Sequence, residues 1–288
     1  MPYFVTLDNT KLYYEEFGQG KPIVFVHGMS GNCKGFYPII DGLKGEYRCI
    51  TYDQRGHGAS SVTEKGLTLD QLGRDLMELI EYLGLEDIAI MGHSMGVATI
   101  FSYVEQFGCR HLSEALLADM TPKMVNDAEW NLGVTGYTID DFFRYMDMLF
   151  QDAGYWLLDF RRWHDPEYMK TLPKEEEPSF TAGIMQGNTH HVMAALWYSL
   201  CRKDYRNTLS KISIPIACFC PVPGSLFLPP VNRYVADHVS GPSKLIEFEG
   251  CDHAFVGVEP ERWAQEIKAF IQEVSPSKIQ YEPHKYDD

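Results

Sequence analysis

The sequence predicts an α/β fold in which a mainly parallel sheet is flanked by helices and interrupted by a helical segment. Short apolar runs alternate with stretches of helical periodicity up to residue 121, and the alternation resumes at residue 209. Between these two parts the pattern is helical, with no convincing strand. Strands that alternate with helices favour right-handed crossovers and therefore a parallel sheet.

The first part of the chain begins with a predicted hairpin. Residues 22–26 are a continuous apolar run, which is typical of a strand buried on both faces. Leucines recur at helical spacing from Leu69 to Leu83, between the N-cap candidate Thr68 and the terminating Gly84. The elements predicted here are strands 3–7, 11–17, 22–26, 48–52, 88–91 and 115–118, and helices 69–83 and 96–107.

The remainder of the chain divides into a helical segment, a second α/β part and a tail. The helical segment carries 15 of the 38 aromatic residues, enough to build a core of its own. We predict helices around 142–149, 154–163 and 189–202 with a solvated charged loop at 172–178, then strands 214–220 and 244–248 and helices 230–239 and 259–274. The predicted domains are a core of 1–121 and 209–274, an inserted helical segment of 122–208 and a polar C-terminal tail of 275–288.

Composition excludes several classes of protein. The 288 residues include 25 Lys and Arg against 40 Asp and Glu, a formal charge of −15, which argues against nucleic-acid binding because that needs a clustered basic face. No uncharged apolar stretch approaches the ~18 residues of a membrane span, and no secretory signal is visible. Seven scattered cysteines do not resemble a disulfide framework. We expect a cytoplasmic protein with no membrane span, and the number of subunits is left open.

A serine stands at a predicted strand-to-helix turn in the motif Gly92-His-Ser-Met-Gly96. Glycines two residues before and after a serine let the neighbouring strand and helix approach closely, so that a strained turn can present the hydroxyl at the edge of the sheet. The motif therefore makes Ser94 a candidate nucleophile. A structural serine in a tight turn is the alternative.

Two further loops supply the partners that such a nucleophile needs. His27-Gly28 ends a predicted strand, so the backbone N–H groups of Met29 and Met95 could together hold an oxyanion. His253 follows the last predicted strand and could accept the serine proton. No metal-ligand spacing is present, so we expect no metal, and serine chemistry of this kind needs no cofactor.

These motifs together resemble the α/β-hydrolase fold superfamily, in particular its lipase, esterase and haloperoxidase-like branch. The resemblance covers residues 3–274 and rests on His27-Gly28, Asp53-Gln-Arg-Gly-His-Gly58, the Ser94 motif and Asp252-His253, in that order. It implies an eight-stranded sheet, a helical cap inserted after the sixth strand and a serine–histidine–acid triad. It also implies that residues 53–58 form a structural turn.

The acid of the implied triad is missing from its usual position. Relatives most often carry it after the seventh strand, where this chain has Gly224, and residues 205–236 contain no carboxylate. Asp119 is the predicted substitute because it ends the strand next to that of the nucleophile, and neighbouring strands lie only ~4.8 Å apart. Asp252 is a weaker candidate, since it adjoins His253 in sequence and should point away from its ring. A Ser–His dyad and an inactive protein are the remaining alternatives.

The helical segment is expected to supply specificity through apolar side chains above Ser94, although each of these could equally pack the segment's own core. The candidates are Trp130, Phe142, Phe143, Trp156, Met185, Met193 and Trp197. We predict a serine hydrolase that cleaves a small carboxylic ester or related acyl compound with an apolar portion. Thioester, lactone or carbon–carbon bond hydrolysis on the same triad, and a non-catalytic ligand-binding receptor, are the alternatives.

Overall fold

Eight strands form a single sheet in the computed structural model, which describes residues 3–164, 166–224 and 226–275. The strands are β1 (Tyr3–Val5), β2 (Lys11–Phe17), β3 (Lys21–Val26), β4 (Tyr47–Tyr52), β5 (Ile88–His93), β6 (Leu112–Ala118), β7 (Ile216–Pro223) and β8 (Ser243–Cys251). Their order is β1-β2-β4-β3-β5-β6-β7-β8. The strands from β3 to β8 run parallel to one another, and the pairs β1–β2 and β2–β4 are antiparallel. The carboxyl ends of six strands therefore meet at one edge of the sheet.

Eleven α-helices are formed by the described residues. They are α1 (Tyr37–Leu43), α2 (Leu69–Tyr82), α3 (Met95–Phe107), α4 (Ile139–Gln151), α5 (Ala153–His164), α6 (Pro166–Thr171), α7 (Glu177–Met185), α8 (His190–Arg202), α9 (Arg206–Leu209), α10 (Pro230–His238) and α11 (Pro260–Val274). Short 3₁₀ helices occur at Cys33–Phe36, Lys174–Glu176 and Phe255–Gly257. None of the described helices has both the length and the apolar character needed to cross a bilayer.

Helices cover both faces of the sheet. Along β3, Val24 and Val26 join the core cluster beneath α2, α3 and α10, whereas Ile23 and Phe25 join the cluster beneath α1 and α11. Successive side chains of a strand point to opposite faces, so a strand with a helix layer on each side must be apolar throughout. This explains the continuous apolar run at 22–26.

The structure contains helices that the sequence did not predict, among them α1, α6, α7 and α9. Helix α1 was not predicted, because its two turns are too short to show a periodic pattern; it depends on packing against α11, where Gly42 comes so close that an added Cβ would lie 2.7 Å from Ala264 Cβ. The charged loop predicted at 172–178 instead holds a 3₁₀ helix and the start of α7, where Pro178 occupies a position near the helix N-terminus that suits proline.

The segment between β6 and β7 holds helices α4 to α9. The division of the chain into a core and an inserted domain at 122–208 stays a prediction. All of the predicted tail except Ser275 lies outside the described residues.

Candidate active site

Ser94 occupies the turn between β5 and α3. Its backbone has φ 54° and ψ −124°, a region that costs a residue with a side chain about 1–3 kcal/mol. The turn is possible because Gly96 lets α3 approach β3: an added Cβ would lie 2.0 Å from the carbonyl oxygen of Val26. This strained turn presents the Ser94 hydroxyl at the carboxyl edge of the sheet.

His253 reaches Ser94 from the loop after β8. Its Nε2 lies 2.9 Å from Ser94 Oγ. The histidine is held in position by a 2.8 Å contact between its carbonyl oxygen and His93 Nε2, and by the edge of the Phe227 ring, whose centroid is 5.5 Å away. Burial lowers the pKa of His253, with the positive charge of Arg161 acting in the same direction. The imidazole is therefore neutral near pH 7 and able to accept a proton.

Asp119 completes a hydrogen-bonded chain with these two residues. The register of the sheet pairs His93 with Ala118, so the residues that follow each of them, Ser94 and Asp119, leave neighbouring strands side by side. Asp119 Oδ2 lies 2.8 Å from His253 Nδ1, and its carboxylate is completely buried. An acceptor at Nδ1 keeps the ring proton there and leaves Nε2 free to face the serine.

Asn232 holds the other oxygen of this carboxylate and was not singled out in the sequence. Its side-chain amide donates to Asp119 Oδ1 at 3.4 Å and lies 3.3 Å from the Cys220 sulfur. Burial raises the pKa of Asp119, and the Asn232 amide opposes that shift by donating to the charged form. The asparagine lies on α10, a helix that belongs to a different β–α unit, so no local spacing could have indicated it.

At neither of the two other candidate positions for the acid, Asp252 and Gly224, does a carboxylate contact the His253 imidazole. Asp252 turns its side chain to its own loop, where Oδ1 accepts the Ala254 N–H at 2.7 Å. Gly224 has φ 90°, and an added Cβ would lie 2.7 Å from the Phe227 carbonyl oxygen and 2.8 Å from Pro229 Cδ. The usual slot for the acid is thus closed to any side chain in this backbone conformation.

The Met29 and Met95 N–H groups are available at the positions expected for an oxyanion site. Met29 lines the cavity beside Ser94, and Met95 is the first residue of α3, where backbone N–H groups have no partner within the helix. Neither N–H donates a hydrogen bond to any residue that the structure describes. Both are therefore free to donate to a ligand.

The loop that carries Met29 is held by a buried network. His27 Nδ1 lies 2.7 Å from the Gly28 carbonyl oxygen, while Nε2 accepts the Gln54 N–H at 3.0 Å. Burial lowers the pKa of His27 to about 4, so the ring is neutral and these two contacts fix its tautomer. The predicted structural turn at 53–58 is tied down through Asp53, whose carboxylate accepts the N–H groups of Cys33 and Ala59, each at 2.7 Å.

An apolar cavity of about 240 Å³ opens above Ser94. Its volume lies below the ~300–1,000 Å³ of most drug-sized pockets, so it suits a small ligand. The residues that line it are Gly28, Met29, Ser30, Gly31, His93, Ser94, Met120, Met124, Val134, Trp156, Leu157, Phe160, Arg161, Met193, Trp197, Leu200, Leu226, Phe227, His253 and Ala254.

Three of the seven predicted substrate-contacting side chains line this cavity, namely Trp156, Met193 and Trp197. The other four lie elsewhere. Phe143 is 63% exposed on the outer side of α4, and Phe142 packs near Tyr198 of α8. Trp130 is buried with its Nε1 donating to the Lys123 carbonyl at 2.9 Å, and Met185 packs against the main core cluster. The high aromatic content of residues 122–208 indicated that this segment would contribute to the cavity. The sequence did not show which faces of its helices would lie at the edge of the sheet.

The described residues contain no group of three or more His, Cys, Asp or Glu side chains that could hold a metal ion. Backbone N–H groups, the His253 imidazole and the Ser94 hydroxyl are among the polar groups that meet at this cavity. This set suits the binding and polarisation of a carbonyl group.

Comparison with known proteins supports the fold. A family model described as the alpha/beta hydrolase fold matches residues 21–152. Bifunctional esterase/perhydrolase DCH of Acinetobacter calcoaceticus is 24% identical over 280 residues, which are 94% of this chain and 100% of that protein. The structure of an esterase from Exiguobacterium antarcticum matches with a TM-score of 0.83 and 23% identity over 94% of this chain and 99% of that chain. The chain therefore has the α/β-hydrolase fold, and residues 21–152 resemble the family that the model describes.

A shorter match has higher identity. Non-heme chloroperoxidase CPO-A1 of Kitasatospora aureofaciens is 33% identical over 132 residues, which are 46% of this chain and 48% of that protein. The chain thus spans about half the length of that relative.

Proposed function

We propose that this protein is a serine hydrolase that cleaves carboxylic esters, or closely related acyl compounds, through an acyl-enzyme. The observation that carries the proposal is the continuous hydrogen-bonded chain from Ser94 through His253 to the buried Asp119, at distances of 2.9 and 2.8 Å. Curated relatives named as an esterase/perhydrolase and as an enol-lactonase support acyl chemistry of this kind.

In the first half of the proposed reaction, Ser94 Oγ attacks the carbonyl carbon and its proton passes to His253 Nε2. The carbonyl electron pair moves to oxygen, and the resulting oxyanion accepts the N–H groups of Met29 and Met95. Such donors are worth roughly 3–4 kcal/mol each in a well-studied hydrolase. His253 then returns the proton to the departing alkoxide, which leaves as an alcohol and leaves an acyl ester on Ser94.

In the second half, a water molecule attacks the acyl ester while His253 Nε2 accepts one of its protons. Collapse of the second tetrahedral intermediate releases the carboxylic acid and returns the proton to Ser94. Throughout, the Asp119 carboxylate accepts a hydrogen bond from His253 Nδ1–H and stabilises the imidazolium that forms twice per cycle. Trp156, Met193 and Trp197 favour an apolar acyl or alcohol portion, and the small cavity favours a short one.

A fluorophosphonate probe tests this proposal directly, because it forms a covalent bond only with an activated serine. We expect rapid stoichiometric labelling of the native protein, seen as a single mass increase that maps to the peptide containing Ser94. Heat-denatured protein and the Ser94→Ala variant should both remain unlabelled. Absence of labelling in the folded native protein would instead favour a ligand-binding protein on this scaffold.

Asn232→Leu is expected to lower kcat about tenfold for a p-nitrophenyl ester, because it removes the amide that orients Asp119 while nearly conserving volume. The amide holds the pKa of Asp119 down, so its loss raises that pKa and the acid limb of the pH–rate profile should move to higher pH. A variant that merely loosened the fold would lower the rate without moving that limb. An unchanged pH–rate profile together with an unchanged kcat would show that Asn232 does not position Asp119 for the reaction.

A further inference from the structure

The turn that carries Met29 is held by a side chain from the helical segment between β6 and β7. Asn188 lies in the short loop between α7 and α8 and is buried, with 8% of its surface exposed. Its side-chain amide donates to the Ser30 carbonyl oxygen at 3.0 Å, across 158 positions of sequence. Asn188 therefore joins the loop after β3 to the loop between these two helices.

Local contacts fix where the Asn188 amide points. Its second amide hydrogen goes to the Ile184 carbonyl oxygen at 2.7 Å, and the Asn188 backbone N–H donates to the Met185 carbonyl oxygen at 3.2 Å. Gly187 packs against Gly58 of the core, since an added Cβ would lie 3.4 Å from the Gly58 Cα. The donor is thus presented from a backbone that is tied to the end of α7 and rests on the core.

Ser30 is the third residue of the turn Gly28-Met29-Ser30-Gly31. The Gly31 N–H closes this turn by donating to the Gly28 carbonyl oxygen at 3.1 Å. Ser30 has φ 61°, a positive value of the kind that the third residue of a type II turn requires. This left-handed conformation favours glycine and is strained for serine, so the turn needs support from its surroundings.

Asn188 gives that support at the peptide unit between Ser30 and Gly31. The C=O of this unit accepts the Asn188 amide, and its N–H donates to Gly28. Because a peptide unit is planar, hydrogen bonds at its two opposite ends fix the orientation of the whole unit. Without the amide, Ser30 can relax toward an ordinary negative φ, and the turn that carries the Met29 N–H changes shape.

We propose that Asn188 is a positioning residue that holds the Met29 N–H toward the oxyanion, so that the helical segment assists the chemical step as well as lining the cavity. A donor at this position stabilises the charge that develops on the tetrahedral intermediate more than it stabilises the ester in its ground state. Asn188 is not among the described residues that line the cavity. It acts through Met29, and this role rests on the proposed hydrolase function.

Asn188→Leu removes the amide while nearly conserving volume. For p-nitrophenyl butyrate we expect kcat to fall about 10–30-fold, less than for complete loss of an oxyanion donor, with KM within about threefold of its native value. The inhibitor 1,1,1-trifluoropentan-2-one forms an adduct with Ser94 that carries an oxyanion. Its Ki should therefore rise by the same factor as kcat/KM falls.

Asn126→Leu is the matched control. Asn126 belongs to the same helical segment, and its amide donates to the Val134 and Tyr137 carbonyl oxygens at 2.7 and 3.1 Å, so its loss disturbs that segment alone. This variant should melt at a lower temperature than the native protein but keep the native ratio of the ketone Ki to KM. A similar change of that ratio in both variants would show that loosening the segment is the cause, and it would overturn the role of Asn188.

Ser30→Gly tests the mechanism, because glycine adopts a positive φ without strain and should keep the turn in shape without the amide. In the Ser30→Gly protein, adding Asn188→Leu should lower kcat by less than about threefold. An equal loss in the presence of serine and of glycine would show that Asn188 does not act through this turn.

Hydrogen exchange of the peptide that covers residues 28–31 measures the turn independently of activity. Exchange should be faster in Asn188→Leu and unchanged in Asn126→Leu. If the native protein hydrolyses the ester and Asn188→Leu keeps the native kcat, ketone Ki and exchange rate, the role of Asn188 is overturned and the hydrolase function stands.

Failure of the hydrolase function gives a different result. In that case the native protein hydrolyses no ester, and hydrogen exchange alone decides whether Asn188 holds the turn. Faster exchange in Asn188→Leu supports this holding role, and unchanged exchange overturns it. If Asn188→Leu does not fold, Asn188→Ala, which removes the amide without adding apolar bulk, takes its place in each measurement.

Discussion

Asp119→Asn is expected to lower kcat for p-nitrophenyl butyrate by about 10⁴-fold, as the equivalent change does in a well-studied serine protease. The carboxylate can only accept a hydrogen bond from His253 Nδ1–H, whereas an amide can also donate one to Nδ1. Donation would shift the ring proton to Nε2, which would then face Ser94 as a donor and could not accept the serine proton. The carboxylate is buried and 2.8 Å from Nδ1, so water cannot easily replace it.

Asp252→Asn is the matched control for that variant. It removes a carboxylate adjacent to His253 in sequence whose side chain accepts the Ala254 N–H of its own loop, so kcat should stay within about threefold of the native value. Circular dichroism melting should show both variants folded at the assay temperature. Near-native turnover by Asp119→Asn, or a larger loss in Asp252→Asn, would show that the acid has been assigned to the wrong residue.

Asp119→Asn alone is expected to lower kcat about 10⁴-fold, and adding Gly224→Asp to that variant should not restore the activity. A side chain at this position meets a left-handed backbone, with φ 90°, and a Cβ contact of 2.7 Å to the Phe227 carbonyl oxygen. We expect instead a loss of stability of about 2–4 kcal/mol, which in a domain of this size lowers the melting temperature by roughly 5–15 °C.

Gly224→Ala separates the steric effect from the charge. If the Cβ causes the damage, alanine should destabilise the protein nearly as much as aspartate does, in a calorimetric or fluorescence melting experiment. A large gain in turnover in the Asp119→Asn/Gly224→Asp double variant would mean that the loop after β7 can rearrange to accept the acid. The assignment of Asp119 as the working carboxylate would then lose its main support.

The parts of the site that the sequence could predict depend on local backbone geometry. A glycine two residues on either side of a serine, with a strand before and a helix after, specifies the strained turn of Ser94 without reference to the remainder of the chain. Asp119 required one more step, the assumption that its strand lies next to that of Ser94, and the sheet order supports that step.

The parts that were missed depend on contacts between distant segments. Asn232 reaches Asp119 across 113 positions of sequence, and nothing in the residues around it distinguishes it from a surface asparagine. The helices between β6 and β7 have apolar residues on more than one face, so Phe143 could not be told from Trp197 before the neighbours of each were known. Arg161 was not predicted to line the cavity, because a charged residue in a helical pattern normally indicates a solvent-facing side.

Locating the acid at the end of β6 has a consequence for how this scaffold can diversify. If Asp119 is the acid, the loop between β7 and α10 needs no carboxylate that faces the His253 imidazole. This loop contributes Leu226 and Phe227 to the wall of the cavity. In the proposed mechanism, the acid and this part of the cavity wall therefore come from different connections of the sheet. Substitutions at Leu226 can alter which acyl groups fit while the proton-transfer machinery stays intact, which makes this connection the natural place to look for substrate divergence among close homologues.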